Sequence, residues 1–340
     1  MNRYLIHLSY IGTQFRGIQK NVYFKGNELV NPVDYNSVEG LLEIALKKFD
    51  PINEFKIKIS SRTDAGVHAL HNTVHVDLER RNGRTYPEEK MTQKLNRSLG
   101  GQGLPIRVLK TQLVPMTFHA RLCAKSRTYL YRLGALRPEH CDKYQNQPFS
   151  RFIPIEEHDR CYFIAHRDFN IDRLRRVAKM FEGYHDFRTF MATSRGNSRQ
   201  IHASHTLRTI ESICIEPGQS MVSLFHKRSA EYFYDYWDIQ IRAKSFLYNQ
   251  VRRMVGSWIA AAEGRISERD IYQMLTVPSK QTWCDKAVVA PASALFLCKV
   301  EYDPADLAFP VDSDELPRAI ETGENVPTAD GNHRYLHGRQ

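Results

Sequence analysis

No apolar run in this 340-residue chain approaches the roughly 20 residues that a membrane-spanning helix needs, so an integral helical membrane protein is not expected. Cysteine is thinly spread. Cys123, Cys141, Cys161, Cys214, Cys284 and Cys298 are scattered, and no two form a C-x-x-C pair. They read as free thiols in a reducing compartment, which argues against a disulfide framework and against a structural zinc site. A cleavable targeting segment has little room, because strand-like sequence begins at Tyr4. Acidic residues are also short: 38 Asp and Glu stand against 48 Lys and Arg, a net charge of +10 and a pI near 9.2. That balance favours a polyanionic partner, although an ordinary basic enzyme fits the same numbers. What is plentiful is core material, with 42% apolar residues, 17 Tyr and 17 Phe. The length suits one large domain or two ordinary ones.

Periodicity organises the first half. Tyr4, Ile6, Leu8 and Tyr10 share one face of a strand. A polar, Gly-bearing stretch runs from Gly12 to Asp34, and Asn36 with Glu39 then has capping-box spacing ahead of Val38, Leu41, Leu42, Ala45 and Phe49, an amphipathic helix. Phe55, Ile57 and Ile59 predict a second strand, and Asn72, Val74, Val76 and Leu78 a third. A further helix is expected from Thr85 and Glu88, and a strand over Ile106 to Leu113. The order β-α-β-β-α-β is the split plan of a ferredoxin-like unit.

The second half repeats the flavour of this plan less cleanly. Asp172 is placed to cap a helix carrying Leu174, Val177, Ala178 and Phe181 that ends at Gly183. Strands are expected at Leu207 to Ile215, Met221 to His226, Tyr236 to Ala243 and Leu295 to Tyr302. Phe246, Leu247, Gln250, Val251, Met254, Val255, Trp258, Ile259 and Ala262 mark the plainest helix. On it Arg252 falls at the edge of the apolar stripe, and Arg253 points toward solvent. The expected fold class is therefore α+β, with two ferredoxin-like lobes sharing a mostly antiparallel sheet and helices packed on it. Residues 1–135 form the first lobe, 136–168 a His-, Arg- and Pro-bearing insertion, 169–303 the second lobe, and 304–340 a polar, aperiodic tail expected to be disordered.

The chemistry-bearing loop, residues 60–69, joins the second and third strands as Ser60-Ser61-Arg62-Thr63-Asp64-Ala65-Gly66-Val67-His68-Ala69. Gly66 admits a positive φ, and the small Ala65 and Gly66 leave the Asp64 side chain room to face a ligand. From spacing alone Asp64 is either a catalytic acid or a turn residue, the turn being the commoner use of such a pattern.

Arg62 to Ala69 closely resembles the active-site signature of the tRNA pseudouridine synthase A family. Other blocks follow in family order: Gly12 to Gln19, Phe118 to Arg121 with Ser126 to Tyr131, Gly183 to Phe187, Phe246 to Gly256, and Ala290 to Leu297. The phrasing around Ile59 to Arg62 and Ser126 to Leu133 is most similar to the animal "pseudouridine synthase-like" branch, whose members are associated with mitochondria. Two positions depart from the pattern: Ile11 stands where many relatives carry aspartate, and Ile18 where many carry tryptophan.

The resemblance implies an enzyme that isomerises uridine in RNA with no cofactor and no metal. It implies Asp64 as the catalytic carboxylate, Tyr129 as the active-site tyrosine against the uracil, and Arg62 and Arg252 as charge partners. Leu295 would line the uracil pocket. A bidentate pair between Arg252 and Asp64 would keep the acid ionised and aimed. Tyr131 and His68 are read as structural. The resemblance further implies a homodimer, a tRNA substrate (with mitochondrial mRNA or rRNA as alternatives), and a mitochondrial rather than cytoplasmic site. The rival from another class is an inactive RNA-binding chaperone or assembly factor, against which the intact Arg62, Asp64, Tyr129 and Arg252 set argues. A glycosidase is disfavoured, since such enzymes commonly need a second carboxyl about 5–10 Å from the first.

Overall fold

The computed structural model describes residues 1–21, 24–25, 28–29, 33–141, 153–192, 205–221 and 231–309. The alternation at Tyr4, Ile6, Leu8 and Tyr10 becomes strand β1 (Asn2–Tyr10), with all four side chains buried. A two-residue pair, β2 (Phe24–Lys25) and β3 (Glu28–Leu29), precedes helix α1 (Val38–Lys47). The cap of α1 is Ser37, whose hydroxyl accepts from the Gly40 N–H, and not Asn36. The expected capping box fails because Glu39 is spent on the Lys20 N–H. Strand β4 (Lys58–Ile59) is shorter than the Phe55–Ile59 alternation predicts. Strand β5 (His68–Leu78), helix α2 (Glu88–Gly100) and strand β6 (Ile106–Val114) follow. Pro87 is the N-cap of α2 and gives it no side-chain cap, so Thr85 is not a capping residue.

The second half opens on β7 (Ser126–Leu136), then a short helix α3 (Pro138–Cys141), β8 (Tyr162–Ile164) and α4 (Ile171–Lys179). Asn170 caps α4, two residues ahead of the expected Asp172. Gly183 opens strand β9 (Gly183–Asp186), with β10 (Leu207–Pro217) and β11 (Tyr234–Ala243) after it. The strand expected at Met221 to His226 lies outside the described residues beyond Met221. Helix α5 (Gln250–Ala262), helix α6 (Glu268–Thr276), strand β12 (Leu295–Glu301) and a last helical turn α7 (Pro304–Leu307) complete the order. Residues 304–307 are thus ordered, contrary to expectation, because Asp303 caps them and Pro304 fits the first turn. Leu307 packs beside Phe118 and Leu5. The chain to Ala308 is one compact unit; residues 310–340, most of the expected tail, lie outside the described residues.

One sheet unites the two halves, in the order β6-β1-β5-β12-β7-β11-β10-β9, with β4 also on β5 and β8 also on β7. Each half is a β-α-β-β-α-β unit with its strands arranged fourth-first-third-second. In the first these are β6-β1-β5-β4, and in the second β12-β7-β11-β10. All pairings are antiparallel except β12 on β5 and β8 on β7. The seam matters most for function. Strand β4 covers β5 at Val74 and His75, while β12 covers it at His68 and Ala69. The loop between β4 and β5 therefore emerges where the two halves meet. On the α5 side, Val251, Met254, Val255, Trp258 and Ile259 are buried with Phe181 and Ile241 in the main core.

Residues 136–168 do more than link the halves. Phe163 of β8 lies where a Cβ on Gly134 would sit 2.6 Å from its ring, so that glycine is what lets the segment dock. Glu157 is fully buried and accepts from Arg132 of β7 at 2.5 Å.

Candidate active site

The loop around Asp64 is held from three sides. Tyr10 and Thr63 share a hydroxyl hydrogen bond of 2.7 Å, and the fully buried Asn72 donates to Tyr10 Oη at 3.1 Å and to the Ser61 carbonyl at 2.9 Å. The N-terminal motif closes over the top: Ile18 N–H donates to Thr63 O, Gly66 N–H donates to Phe15 O, and Gly17 bridges Asp64 in antiparallel fashion. Gly66 has φ of 80°, the left-handed turn expected of it. His68 is a structural tie, as its sequence context suggests. Its Nδ1 accepts from Gly12 N–H, so its Nε2 carries the proton and donates to the Asp159 and Ser293 carbonyls at 2.8 Å each. Neutral imidazole is the form these bonds need, and burial lowers its pKa accordingly.

Asp64, Arg62, Tyr129, Arg252 and Leu295 all line one cleft of about 1130 Å³. Asp64 is half-buried, and desolvation raises its pKa against the opposing pull of Arg252. Tyr129, 6% exposed, places its hydroxyl 3.2 Å from Ser61 Oγ and its ring edge-on to Phe246 at 5.2 Å. Burial pushes the Tyr129 phenol up to about 12, with the Asp64 charge adding to the rise. A phenol raised this far stays in its neutral form near neutral pH. Leu295 is buried and sits opposite Tyr131 across the β12–β7 pair, while Tyr131 itself is wholly core. Arg62 is exposed at the cleft wall.

Three sequence expectations change here. Arg252 does not form a bidentate pair with Asp64. Its Nε donates to the Ala290 carbonyl at 2.8 Å and its Nη1 to Asn249 Oδ1 at 3.0 Å, and it acts on Asp64 through charge alone. The helix carrying it also starts at Gln250, not Phe246, because Asn249 takes a left-handed φ of 57° that stops the helix there. Arg253 does not run free into solvent: its guanidinium lies 3.8 Å from the Trp283 ring centre, brought over it by the loop after α6.

The cleft also holds residues that periodicity did not single out. Seven Lys and Arg side chains line it, Arg208 and Arg121 among them, against two carboxylates, Asp64 and Glu39. Among the described residues Arg208 donates to the His205 and Leu207 carbonyls, and its buried Nε meets no acceptor. Tyr248 presents an exposed ring at the same wall. Arg121 lay within a quoted motif and was legible; Arg208 sits in a strand with no motif around it.

A loop carboxylate at the seam of two ferredoxin-like halves, in a cleft rich in cations, fits the pseudouridine synthase fold class. The chain belongs to the tRNA pseudouridine synthase family. Residues 177–303 match the family model described as tRNA pseudouridine synthase. A "tRNA pseudouridine synthase-like 1" of Xenopus laevis is 34% identical over 310 residues, covering 90% of this chain and 93% of that protein. The Homo sapiens protein of the same description is 33% identical over 303 residues, covering 88% and 90%. A "tRNA pseudouridine synthase A" of Mesorhizobium japonicum is 29% identical over 303 residues, covering 89% of this chain and all of that one.

Proposed function

We propose that the chain is an RNA pseudouridine synthase that converts uridine in tRNA to pseudouridine, with Asp64 as the catalytic carboxylate. The observation that carries this reading is the placement of Asp64, half-buried at the head of a cation-lined cleft, with the neutral Tyr129 ring beside it. The target base must leave the RNA stack to reach such a site, at a cost of roughly a few kcal/mol. The C1′–N1 bond breaks, the uracil turns, and C1′ joins C5; the C5 proton leaves to solvent and N1 gains one. Asp64 attacks C1′ or removes a ribose proton, and either role needs the ionised carboxylate. Arg252 keeps that form accessible against burial. Tyr129 stacks on the turning uracil, Leu295 walls the pocket, and Arg62 steers the phosphates. These residues need neither metal nor organic cofactor for the proton and carbon bookkeeping.

The finer readings rest on the named relatives and on the family resemblance: tRNA over mRNA or rRNA, a homodimer with RNA lying across both subunits, and action in mitochondria. The test is product analysis. Unmodified tRNA transcripts incubated with the protein, digested to nucleosides and separated by chromatography should yield pseudouridine at the expense of uridine. RNA that binds tightly but returns only uridine would favour an inactive RNA chaperone instead.

A further inference from the structure

Asn249 occupies the N-cap of α5, where an asparagine ordinarily gives its side-chain oxygen to a backbone N–H of the first turn, worth about 1 kcal/mol. Here it makes no such bond. Its Oδ1 accepts instead from the Arg252 guanidinium at 3.0 Å, three positions on. It does so from a left-handed backbone, φ 57° and ψ 11°, which non-glycine residues adopt at a cost. The Asn249 amide oxygen is thus committed to the arginine and not to the first turn of the helix.

The geometry of the arginine shows what is gained. Nε is fixed on Ala290 O at 2.8 Å, and the Arg252 carbonyl in turn accepts from the Ala290 N–H at 3.1 Å. One bond at Nε leaves the planar group free to swing about that contact. A second at Nη1 fixes the plane, and the remaining donors project into the cleft that Asp64 and Asn249 also line. The groups that bear on the carboxyl are Arg252 from α5, whose charge lowers its pKa, and Tyr129 from β7, while Arg62 and Glu39 line the same cleft. The segment before Asn249 is itself anchored, since Leu247 N–H donates to Gln250 Oε1 at 2.8 Å and Tyr248 O accepts from Ala192 N–H at 3.0 Å.

We propose that Asn249 is a positioning residue for the isomerisation: its side chain orients the Arg252 guanidinium toward Asp64 instead of capping the helix. The inference rests on the reading of Asp64 as the catalytic carboxylate and Arg252 as its charge partner.

Asn249→Gly separates the two roles. Glycine takes a positive φ without strain and loses little at an N-cap, so the variant should be as stable as the parent or more so. The assay is single-turnover release of tritium from RNA labelled at uracil C5, followed from pH 5 to 8. With Asn249→Gly the plateau rate should fall about tenfold at unchanged melting temperature and RNA affinity, and the acid limb should move to higher pH. Asn249→Asp keeps the acceptor and tolerates the same backbone, so its plateau should recover to within about threefold of wild type. Its acid limb should stay raised, because the new carboxylate offsets the Arg252 charge. Arg252→Gln serves as the reference for the underlying reading and should show the same limb displacement, larger. Wild-type rate and limb in Asn249→Gly, with Arg252→Gln displaced, would overturn the role of Asn249 alone. An undisplaced limb in Arg252→Gln would overturn the Arg252 reading and the inference with it.

Discussion

At the residue scale, the structure assigns opposite electrostatic fates to the two groups nearest the chemistry. Burial raises the Asp64 pKa and only the Arg252 charge opposes it, so the ionised carboxylate is held at a cost. A raised folded-state pKa means the native state binds the proton more tightly than the unfolded chain. Stability from this group is therefore greatest at low pH and declines as pH rises through the folded value. Asp64→Asn at neutral pH should then leave the melting temperature unchanged or higher. The wild-type rate should fall as pH drops through the raised Asp64 pKa. Tyr129 is pushed up to about 12 and stays protonated. Its contribution should show no basic limb between pH 7 and 9.5, and Tyr129→Phe should cost about tenfold, far less than Tyr129→Ala, if the ring stacks on uracil. A basic limb that vanishes in Tyr129→Phe would instead mark a phenolate base. The Asp64 loop was legible in the sequence because its signature is contiguous. The Arg252 partners were not, since Ala290 stands 38 residues away and Asn249 lies in what periodicity reads as helix.

At the element scale, the catalytic loop owes its shape to the segment after β1. A Cβ on Gly12 would stand 1.9 Å from the Val67 carbonyl oxygen, and one on Gly17, whose φ is 112°, would stand 2.7 Å from the Thr63 carbonyl oxygen. Both obstacles are backbone atoms of the loop and neither can rotate aside. Gly12→Ala should destabilise the fold by about 1–3 kcal/mol through overpacking. A lowered denaturant midpoint at constant slope would report it, with slower turnover in the folded fraction. A variant indistinguishable from wild type in both would mean that the segment does not brace the loop. Sequence periodicity located most of the strands and helices of the first half but misjudged their ends, and in the second half it did not mark β7 (Ser126–Leu136) or α6 (Glu268–Thr276). Strand β4 pairs over only Lys58 and Ile59, and α5 starts four residues late, because caps and left-handed residues are decided by side-chain hydrogen bonds that apolar spacing does not encode.

At the scale of the whole molecule, the basic balance of the composition is matched by a cleft that seven Lys and Arg side chains line against two carboxylates. RNA affinity should weaken steeply with salt. If most of the seven cations meet phosphates, the slope of log affinity against log salt would be about −3 to −6. Arg208→Ala should make it shallower by about one unit, because that guanidinium lines the cleft and, among the described residues, meets backbone carbonyls rather than a carboxylate. An unchanged slope would place Arg208 outside the RNA path. The two-lobe plan was legible from element order. The seam was not: β12 runs parallel to β5 and meets it at Phe296–His68 and Leu297–Ala69, a pairing across more than two hundred residues that no local pattern announces. That seam is where Asp64 sits.

The most direct test of Asp64 as the carboxylate of an RNA pseudouridine synthase is tritium release from tRNA labelled at uracil C5. It compares wild type with Asp64→Asn at matched RNA binding. Wild type should release label to water in proportion to C5–C1′ bonds formed, while Asp64→Asn should bind the RNA equally and release roughly 10⁴-fold more slowly or not at all. Release by Asp64→Asn at near the wild-type rate would contradict the assignment of the carboxylate. No release by wild type from RNA that a known family member turns over would contradict the activity itself.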